Sequence, residues 1–214
     1  MSDAKKVVLN ACRAEITEKK SRFIAVCLPA SSEEEALALI SRQRKLYFDA
    51  RHTCFAYVCG ENNGITRFSD DGEPHGTAGK PILDVILGNN LKNTLIAVTR
   101  YFGGTLLGTG GLVRAYSSAA ALAVEEGLAS GAILETARGA EVRVMVSYKD
   151  LGRFEHLCKS KNVQINDKEF GENVVFSLLV REEDIAALEK DTVNLTNGTA
   201  KIIIGQVSEQ IFSI

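Results

Sequence analysis

The stretch that decides the fold of the first part of the chain is TLIAVTRYFGGTLLGTGGLVRAYSSAAALAVEEGL, residues Thr94 to Leu128. Its opening segment, Thr94–Thr99, is apolar on both faces of an extended chain, which is typical of a strand buried in the centre of a sheet. A glycine-rich loop from Gly103 to Gly111 follows. From Leu112 to about Leu128, apolar and small residues recur at helical spacing. The stretch therefore predicts a central strand, a loop and a long helix that packs closely on the sheet.

Similar patterns before this stretch predict the rest of an α+β domain. Apolar or alternating runs predict four further strands, and Ser31–Glu35 opens a helix with a serine cap followed by acidic residues. A short second helix has proline in its first turn and glycine beyond its end. The predicted elements are strands at Val7–Thr17, Arg22–Leu28, His52–Cys59 and Ile65–Phe68, a polar turn at Glu18–Ser21 and a helix at Lys80–Leu87.

The last part of the chain has a different and more compact pattern. After Ala137, predicted elements follow in the order strand, helix, strand, strand, helix, strand, which is the split βαβ or ferredoxin-like plan. The sequence therefore predicts an α+β protein of two domains. Residues 1–137 form the first domain, and residues 138–214 form a ferredoxin-like βαββαβ sandwich.

Composition excludes several classes of protein. Apolar residues make up 45% of the 214, the usual share for a packed globular core. A formal net charge of −2 argues against strong binding to duplex DNA. The five cysteines are scattered without a CxxC pair, which favours reduced thiols in the cytoplasm. Neither a signal peptide nor a membrane-spanning run is recognisable, so we expect a cytoplasmic protein with no membrane partner.

An acidic loop, SDDGEPHGTAGKP from Ser69 to Pro81, is the first candidate site. It places Asp70, Asp71 and Glu73 within four positions, next to His75. Neighbouring carboxylates repel one another unless cations, backbone donors or water offset the cost. Two interpretations stay open: a divalent-ion site or clamp on a basic partner, and an internal lattice of salt bridges with Arg67, Arg100 or Arg114 together with a capped helix start.

A second candidate is the pair His52 and Cys54 at the start of a predicted strand. Period-two alternation places both side chains on one face, where they form a nucleophile with its base or simply pack. No third residue is evident to orient the histidine, and the spacing of His52, Cys54 and His75 matches no known metal site. We therefore predict no catalytic residue, no metal and no cofactor.

The third candidate is the glycine-rich junction RYFGGTLLGTGGLVRAY, Arg100 to Tyr116. A glycine-rich loop between a buried strand and a helix exposes backbone N–H groups at the positive end of the helix dipole, so it favours an anion. The alternative is a turn shaped only by packing. Neither a Walker motif nor a GxGxxG fingerprint is present. The residues predicted to contact an anion are Arg100, Tyr101, Phe102, Gly103, Gly104, Gly108, Gly110, Gly111 and Arg114.

Three segments together resemble the signature of the YigZ/IMPACT family: RHTCFAY (Arg51–Tyr57), SDDGEPHGTAGKPIL (Ser69–Leu83) and VTRYFGGTLLGTGGLVRAY (Val98–Tyr116). The remainder is similar to the small C-terminal domain of bacterial members. The resemblance implies a first domain like a ribosomal small-subunit protein domain and elongation factor G domain four. For the second domain it implies a sandwich like the last domain of elongation factor G.

For function, the resemblance implies a link to translation. Eukaryotic members restrain the amino-acid-starvation kinase by competing for its activating partner. They do so with an additional N-terminal partner-binding domain, which we do not expect in this chain, so the resemblance implies a link to translation and not that specific mechanism.

Two functions are consistent with these features. The first is a non-catalytic, translation-associated protein that contacts RNA, a ribosome or a protein partner, with Arg100 and Arg114 on phosphate and Tyr101 or Phe102 stacked on a base. The second is an enzyme that acts on a phosphorylated small molecule or nucleotide, with the acidic loop as its metal site. We favour the first, because the second rests on fold analogy.

Overall fold

The computed structural model of the protein describes residues 5–60 and 63–212, which divide into one compact unit up to Glu135 and another from Thr136. The first unit contains β1 (Lys5–Val8), β2 (Cys12–Glu18), β3 (Ser21–Pro29), α1 (Glu33–Leu46), β4 (His52–Cys59), β5 (Ile65–Ser69), α2 (Gly79–Gly88), β6 (Leu91–Lys92), β7 (Thr94–Tyr101) and α3 (Thr109–Ala129). The second contains most of β8 (Ile133–Val146), then α4 (Leu151–Ser160), β9 (Gln164–Phe170), β10 (Val174–Arg181), α5 (Glu182–Thr196), β11 (Lys201–Ile204) and β12 (Ser208–Phe212).

The first unit is built on a five-stranded antiparallel sheet in the order β2-β3-β7-β4-β5. The predicted central strand is confirmed: β7 pairs with β3 on one side and β4 on the other, and its first seven residues are buried. Successive side chains of a strand point to opposite faces, so β7 contributes Ile96 to one core and Leu95 to another. A strand buried on both sides therefore needs helices on both sides.

Helices cover the two faces of this sheet. α2 and α3 pack on the face that carries Cys54 and Ile96, and α1 packs on the face that carries Tyr57 and Leu95. Small residues of α3, among them Ala119, are fully buried in the first of these cores. The unit therefore has three layers, and its site elements are anchored in a well-packed core.

Two details of the first unit differ from the predicted elements. The strand expected at Val7–Thr17 is divided into β1 and β2 by the irregular residues 9–11. The hairpin from β2 to β3 turns on Lys19 and Lys20 alone, with φ of 45° and 68°. Two-residue hairpin turns of this hand usually carry asparagine or glycine, so the sequence suggested a longer turn.

The second unit has the predicted split βαβ topology. β11, β8, β10 and β9 lie side by side in that order, and each pair is antiparallel. α4 and α5 bury Phe154, Cys158 and Leu188 against the sheet, with the rings of Phe154 and Phe176 4.9 Å apart. β12 is an additional strand that pairs with β8. The two-domain α+β fold class is thereby confirmed.

Across the described residues, no helix combines the length and the apolar character that a membrane crossing needs.

Candidate functional site

Three predicted segments meet at one end of the central strands. His52 at the start of β4 lies opposite Arg100 at the end of β7 in the antiparallel register. The acidic loop and the start of α3 close around them, and together they surround a cavity of about 470 Å³. Its lining residues are Arg51, His52, Glu73, Pro74, Arg100, Phe102, Leu106, Leu107, Gly108, Thr109 and Leu112. We call this the apolar cleft, because the surface that its walls expose is mostly apolar.

A buried ion pair forms the floor of the apolar cleft. Arg100 Nη1 donates to Glu73 Oε1 at 2.7 Å, and Tyr116 Oη donates to the same oxygen at 2.8 Å. The side chains of Arg100 and Glu73 are 7% and 4% exposed. Arg100 Nη2 also donates to Ser21 Oγ at 3.3 Å. This corrects the prediction of Arg100 as an open phosphate contact, because its guanidinium is held inside the protein.

Asp70 acts as a cap for α2. Its Oδ1 accepts hydrogen bonds from the backbone of Ala78 and Gly79 at 3.0 and 2.8 Å, and its Oδ2 accepts one from Gly76 at 2.8 Å. Burial opposes ionisation, but these three N–H donors outweigh it and lower the pKa of the Asp70 carboxyl. The Ala78 side chain has no capping atom, so a residue eight positions away supplies the cap.

Asp71 is held by donors from two other elements. Its Oδ1 accepts from Arg44 Nη2 at 2.5 Å, and its Oδ2 accepts from the Thr53 backbone at 2.7 Å. Its backbone oxygen lies 2.7 Å from His52 Nδ1. Since a carbonyl oxygen only accepts, Nδ1 carries the proton, and Nε2 of the neutral ring is left as an acceptor.

The acidic loop is therefore an internal lattice of salt bridges and hydrogen bonds. Of the three cations predicted to pair with it, only one does so. Arg100 pairs with Glu73 as expected. Arg44, which was not expected, pairs with Asp71, and Arg67 lies 3.6 Å from Glu33, outside the loop. The His75 side chain is fully exposed, 3.7 Å from Asp70. Within the described ranges, no group of three or more His, Cys, Asp and Glu residues has the arrangement to hold a metal ion.

Cys54 is placed for packing and not for nucleophilic attack. Its Sγ donates to the Asp70 backbone oxygen at 3.0 Å and lies 3.4 Å from Tyr116 Oη, and the residue is fully buried. Burial raises the pKa of the Cys54 thiol to about 12, so the thiolate is scarce near neutral pH. Burial also raises the pKa of Tyr116. His52 bonds to Asp71 and not to Cys54, so the base of a Cys–His pair is missing.

The glycine-rich junction is shorter as a loop than predicted, because α3 begins at Thr109 and includes Gly110 and Gly111. Gly103 lies so close to the β2–β3 hairpin that a Cβ would be 2.0 Å from the Lys20 carbonyl carbon. Gly108 ends the loop with a φ of +72°, and Gly104 has a φ of +83°. Glycine here therefore serves close packing and a left-handed turn, and the loop directs the start of α3 towards the cleft.

The start of α3 is electropositive and carries no capping side chain. Its first turn holds no acidic residue, and its first N–H groups face the loop. Arg114 lies in the second turn, not the first as predicted, with Nη1 3.8 Å from where a Cβ of Gly110 would be. Among the residues that the structure describes, none offers Arg114 a carboxylate within 4 Å. An anion site at the start of α3 stays a prediction, which these features favour.

The two aromatic residues of the junction differ in availability. Tyr101 Oη donates to Asp49 at 2.6 Å, and the Arg22 guanidinium lies 5.7 Å from its ring centre, so Tyr101 is engaged within the protein. Phe102 is 51% exposed beside the apolar cleft. Of the two predicted stacking residues, only Phe102 presents its ring.

A second cavity of about 340 Å³ lies on the other side of Leu107. We call it the basic pocket, because Lys19 and Arg114 line it. The remaining lining residues are Ile16, Thr17, Glu18, Leu107, Gly111, Ala115 and Ser118. The sequence patterns gave no indication of Lys19, Leu106 or Leu107, since the contact between the hairpin and α3 is a tertiary one.

Known protein families and relatives match this chain along most of its length. A model of the Impact N-terminal domain matches residues 19–124, and one of a domain of unknown function, DUF1949, matches residues 144–199. "IMPACT family member YvyE" of Bacillus subtilis (strain 168) is 38% identical over 201 residues, 94% of this chain and 91% of that protein. "IMPACT family member YigZ" of Escherichia coli (strain K12) is 48% identical over 100 residues, 46% of this chain and 49% of that protein. A solved structure titled "Crystal structure of an hypothetical protein" is 28% identical, with a TM-score of 0.57, and the match covers 96% of this chain and 99% of that one.

Proposed function

The chain belongs to the IMPACT family, and from that premise we propose that it is a non-catalytic, translation-associated binding protein of the cytoplasm. Its first unit contacts RNA, a ribosome or a translation-linked protein partner through the face that carries the apolar cleft and the basic pocket. The link to translation comes from the resemblance to eukaryotic members. The second unit adds a further contact surface.

One observation supports this proposal: the groups of the site that lack internal partners lie on its surface, whereas its reactive side chains are bonded inside the protein. Arg114 and the uncapped start of α3 have no side-chain partner among the described residues, and Phe102, which stacks on Arg100 on one side, is 51% exposed. By contrast, Cys54, Asp70, Asp71 and Glu73 bond to other parts of the protein. Exposed groups without internal partners are available to a ligand, whereas groups held by internal bonds maintain the fold.

The competing enzyme hypothesis needs the carboxylates of the acidic loop as metal ligands. Asp70 accepts three backbone hydrogen bonds, and both oxygens of Asp71 have protein donors. A metal ion would have to displace these donors and break the cap of α2. This cost favours the binding function over a metal-dependent reaction at the same loop.

Co-sedimentation with purified ribosomes across a salt series tests the proposed function. The test variant is Arg51→Gln/Arg114→Gln, which removes two exposed cations from the proposed face. The control variant, Arg42→Gln/Lys45→Gln, removes two exposed cations from α1 on the opposite face of the sheet. Arg100 is left intact, because its loss would leave Glu73 buried without its cation.

We expect the natural protein and the control variant to pellet with ribosomes at low salt and to dissociate as salt rises, because phosphate contacts release counterions. The test variant is expected to stay in the supernatant at lower salt than either. Pelleting of the test variant at wild-type levels throughout the series would remove this face from the proposal. Absence of the natural protein from every pellet would refute the proposed function itself.

A further inference from the structure

The apolar cleft and the basic pocket share one wall, Leu107, and lie on either side of it along the start of α3. We propose that they hold neighbouring parts of a single-stranded RNA, with a base in the apolar cleft and a backbone phosphate in the basic pocket. This inference rests on the proposed function and specifies its ligand. It follows from the different chemistry of the two cavities.

The apolar cleft has the size and the surfaces for an unpaired base. It is an open cleft of about 470 Å³, and Pro74, Phe102, Leu106 and Leu112 are among its apolar lining residues. The Arg100 guanidinium lies between two rings, 5.4 Å from the centre of Phe23 and 5.5 Å from that of Phe102. This stack holds the inner side of the Phe102 ring, while half of the residue stays exposed for a base. Stacking on an aromatic ring tolerates any base, because every base has a π-face.

The walls of the cleft hold one donor and one acceptor without partners among the described residues, and the donor lies beneath the surface. Arg100 Nε is buried and has no hydrogen-bond partner among the described residues. His52 Nε2 is an acceptor in the neutral ring, because Nδ1 donates to Asp71. Both residues line the cleft. The edges of bases present donors, so an acceptor at His52 suits a base better than it suits an apolar side chain.

The basic pocket supplies the cations for a phosphate. Arg114 and Lys19 line it, and in the part of the chain that is described neither has a carboxylate within 4 Å. Glu18 lines the same pocket, so the phosphate is expected on the Arg114 side, next to the start of α3. A cation near the positive end of a helix dipole is unfavourable alone, and a bound anion reverses that sign.

The arrangement favours a single strand over a duplex. A base enters the apolar cleft only when it is not paired, and the bases of an RNA duplex are inaccessible in a deep, narrow groove. The net charge of −2 adds no broad positive field for a duplex backbone. Affinity is therefore expected from one or a few stacked bases together with few phosphate contacts.

The test is fluorescence anisotropy with a labelled ribo-oligonucleotide of about eight residues, within the usual site size of stacking proteins. Titrations at several salt concentrations give both the affinity and the slope of its logarithm against that of salt. Phe102→Ala should weaken binding roughly five- to 150-fold, the loss of one stacked base, without changing the salt slope. Phe102→Tyr keeps the ring and should restore affinity to near the wild-type value.

Arg114→Gln should have the complementary effect. It should reduce the salt slope by about 0.7, the value for one phosphate contact of a single strand. The matched controls are Phe48→Ala and Arg42→Gln, which remove an exposed ring and an exposed charge outside both cavities. Both controls should bind as the natural protein does.

The outcomes separate this inference from the proposed function. Wild-type affinity in Phe102→Ala, or equal affinity for a duplex of the same sequence, overturns the base site. Ribosome co-sedimentation without any oligonucleotide binding overturns the single-stranded ligand but leaves the proposed function standing. If Phe102→Ala then abolishes co-sedimentation, the cleft binds a protein and not RNA. Failure of both assays counts against the proposed function itself.

Discussion

Removing one partner of the buried Glu73–Arg100 pair should destabilise the first unit strongly. Arg100→Met keeps an unbranched stem of similar length but leaves Glu73, 4% exposed, with Tyr116 as its remaining donor. The expected cost is about 3–5 kcal/mol, the usual result when one charge of a buried pair is left uncompensated. A domain's total stability is roughly 5–15 kcal/mol, so this is a large share of it.

The cost should depend on the charge that remains and not on the lost volume. Glu73→Gln keeps an acceptor for the Tyr116 hydroxyl and removes the charge, so Arg100→Met/Glu73→Gln should regain about 2 kcal/mol or more of the single variant's loss. Arg44→Met is the matched control, because Arg44 also pairs with the acidic loop but its side chain is 49% exposed. Its loss should cost at most about 1 kcal/mol.

Urea unfolding followed by near-ultraviolet circular dichroism measures these differences. The chain has no tryptophan, and four of its five tyrosines, all but Tyr148, precede Glu135, so the signal reports mainly on the first unit. A loss below about 1 kcal/mol in Arg100→Met would refute the reasoning. So would a double variant whose loss equals the sum of the two single losses, since the pair would then make no coupled contribution.

Two further predictions concern the loops around the site. The pKa of Asp70 is lowered in the folded protein, so its contribution to stability is present above the ordinary carboxyl pKa near 4 and is lost as pH falls through the lowered value. Asp70→Asn should therefore cost about 1–3 kcal/mol at pH 7 in urea unfolding and progressively less in acid, and a cost independent of pH would contradict the capping role. Gly103→Ala should destabilise by more than about 2 kcal/mol, because its Cβ would meet the Lys20 carbonyl carbon at 2.0 Å. Gly110→Ala is its control, with no atom closer than 3.8 Å, and should be neutral or stabilising by up to about 1 kcal/mol; equal effects of the two substitutions on the unfolding midpoint would contradict the packing argument.

The sequence alone determined the order and type of most elements. Thr94–Thr99 is read as a central strand because burial on both faces removes the polar alternation, and this property is local to six residues. The order of elements in the second unit likewise follows from short-range periodicity, and it limits the sheet to few topologies. The three loop segments meet at one cleft, which agrees with the position of each segment at the end of a strand.

Only the tertiary structure decided which groups bind one another and which remain free. Arg44 pairs with Asp71 across 27 positions, and Asp70 caps a helix that begins nine positions later, whereas Arg114 stays unpaired among the described residues. α3 starts at Thr109 because packing and the turn at Gly108 offset the poor helix propensity of Gly110 and Gly111, which no local pattern reveals. Propensity and periodicity are properties of neighbouring residues, whereas burial of a charge and the choice of its partner depend on distances that exist only once the chain has folded.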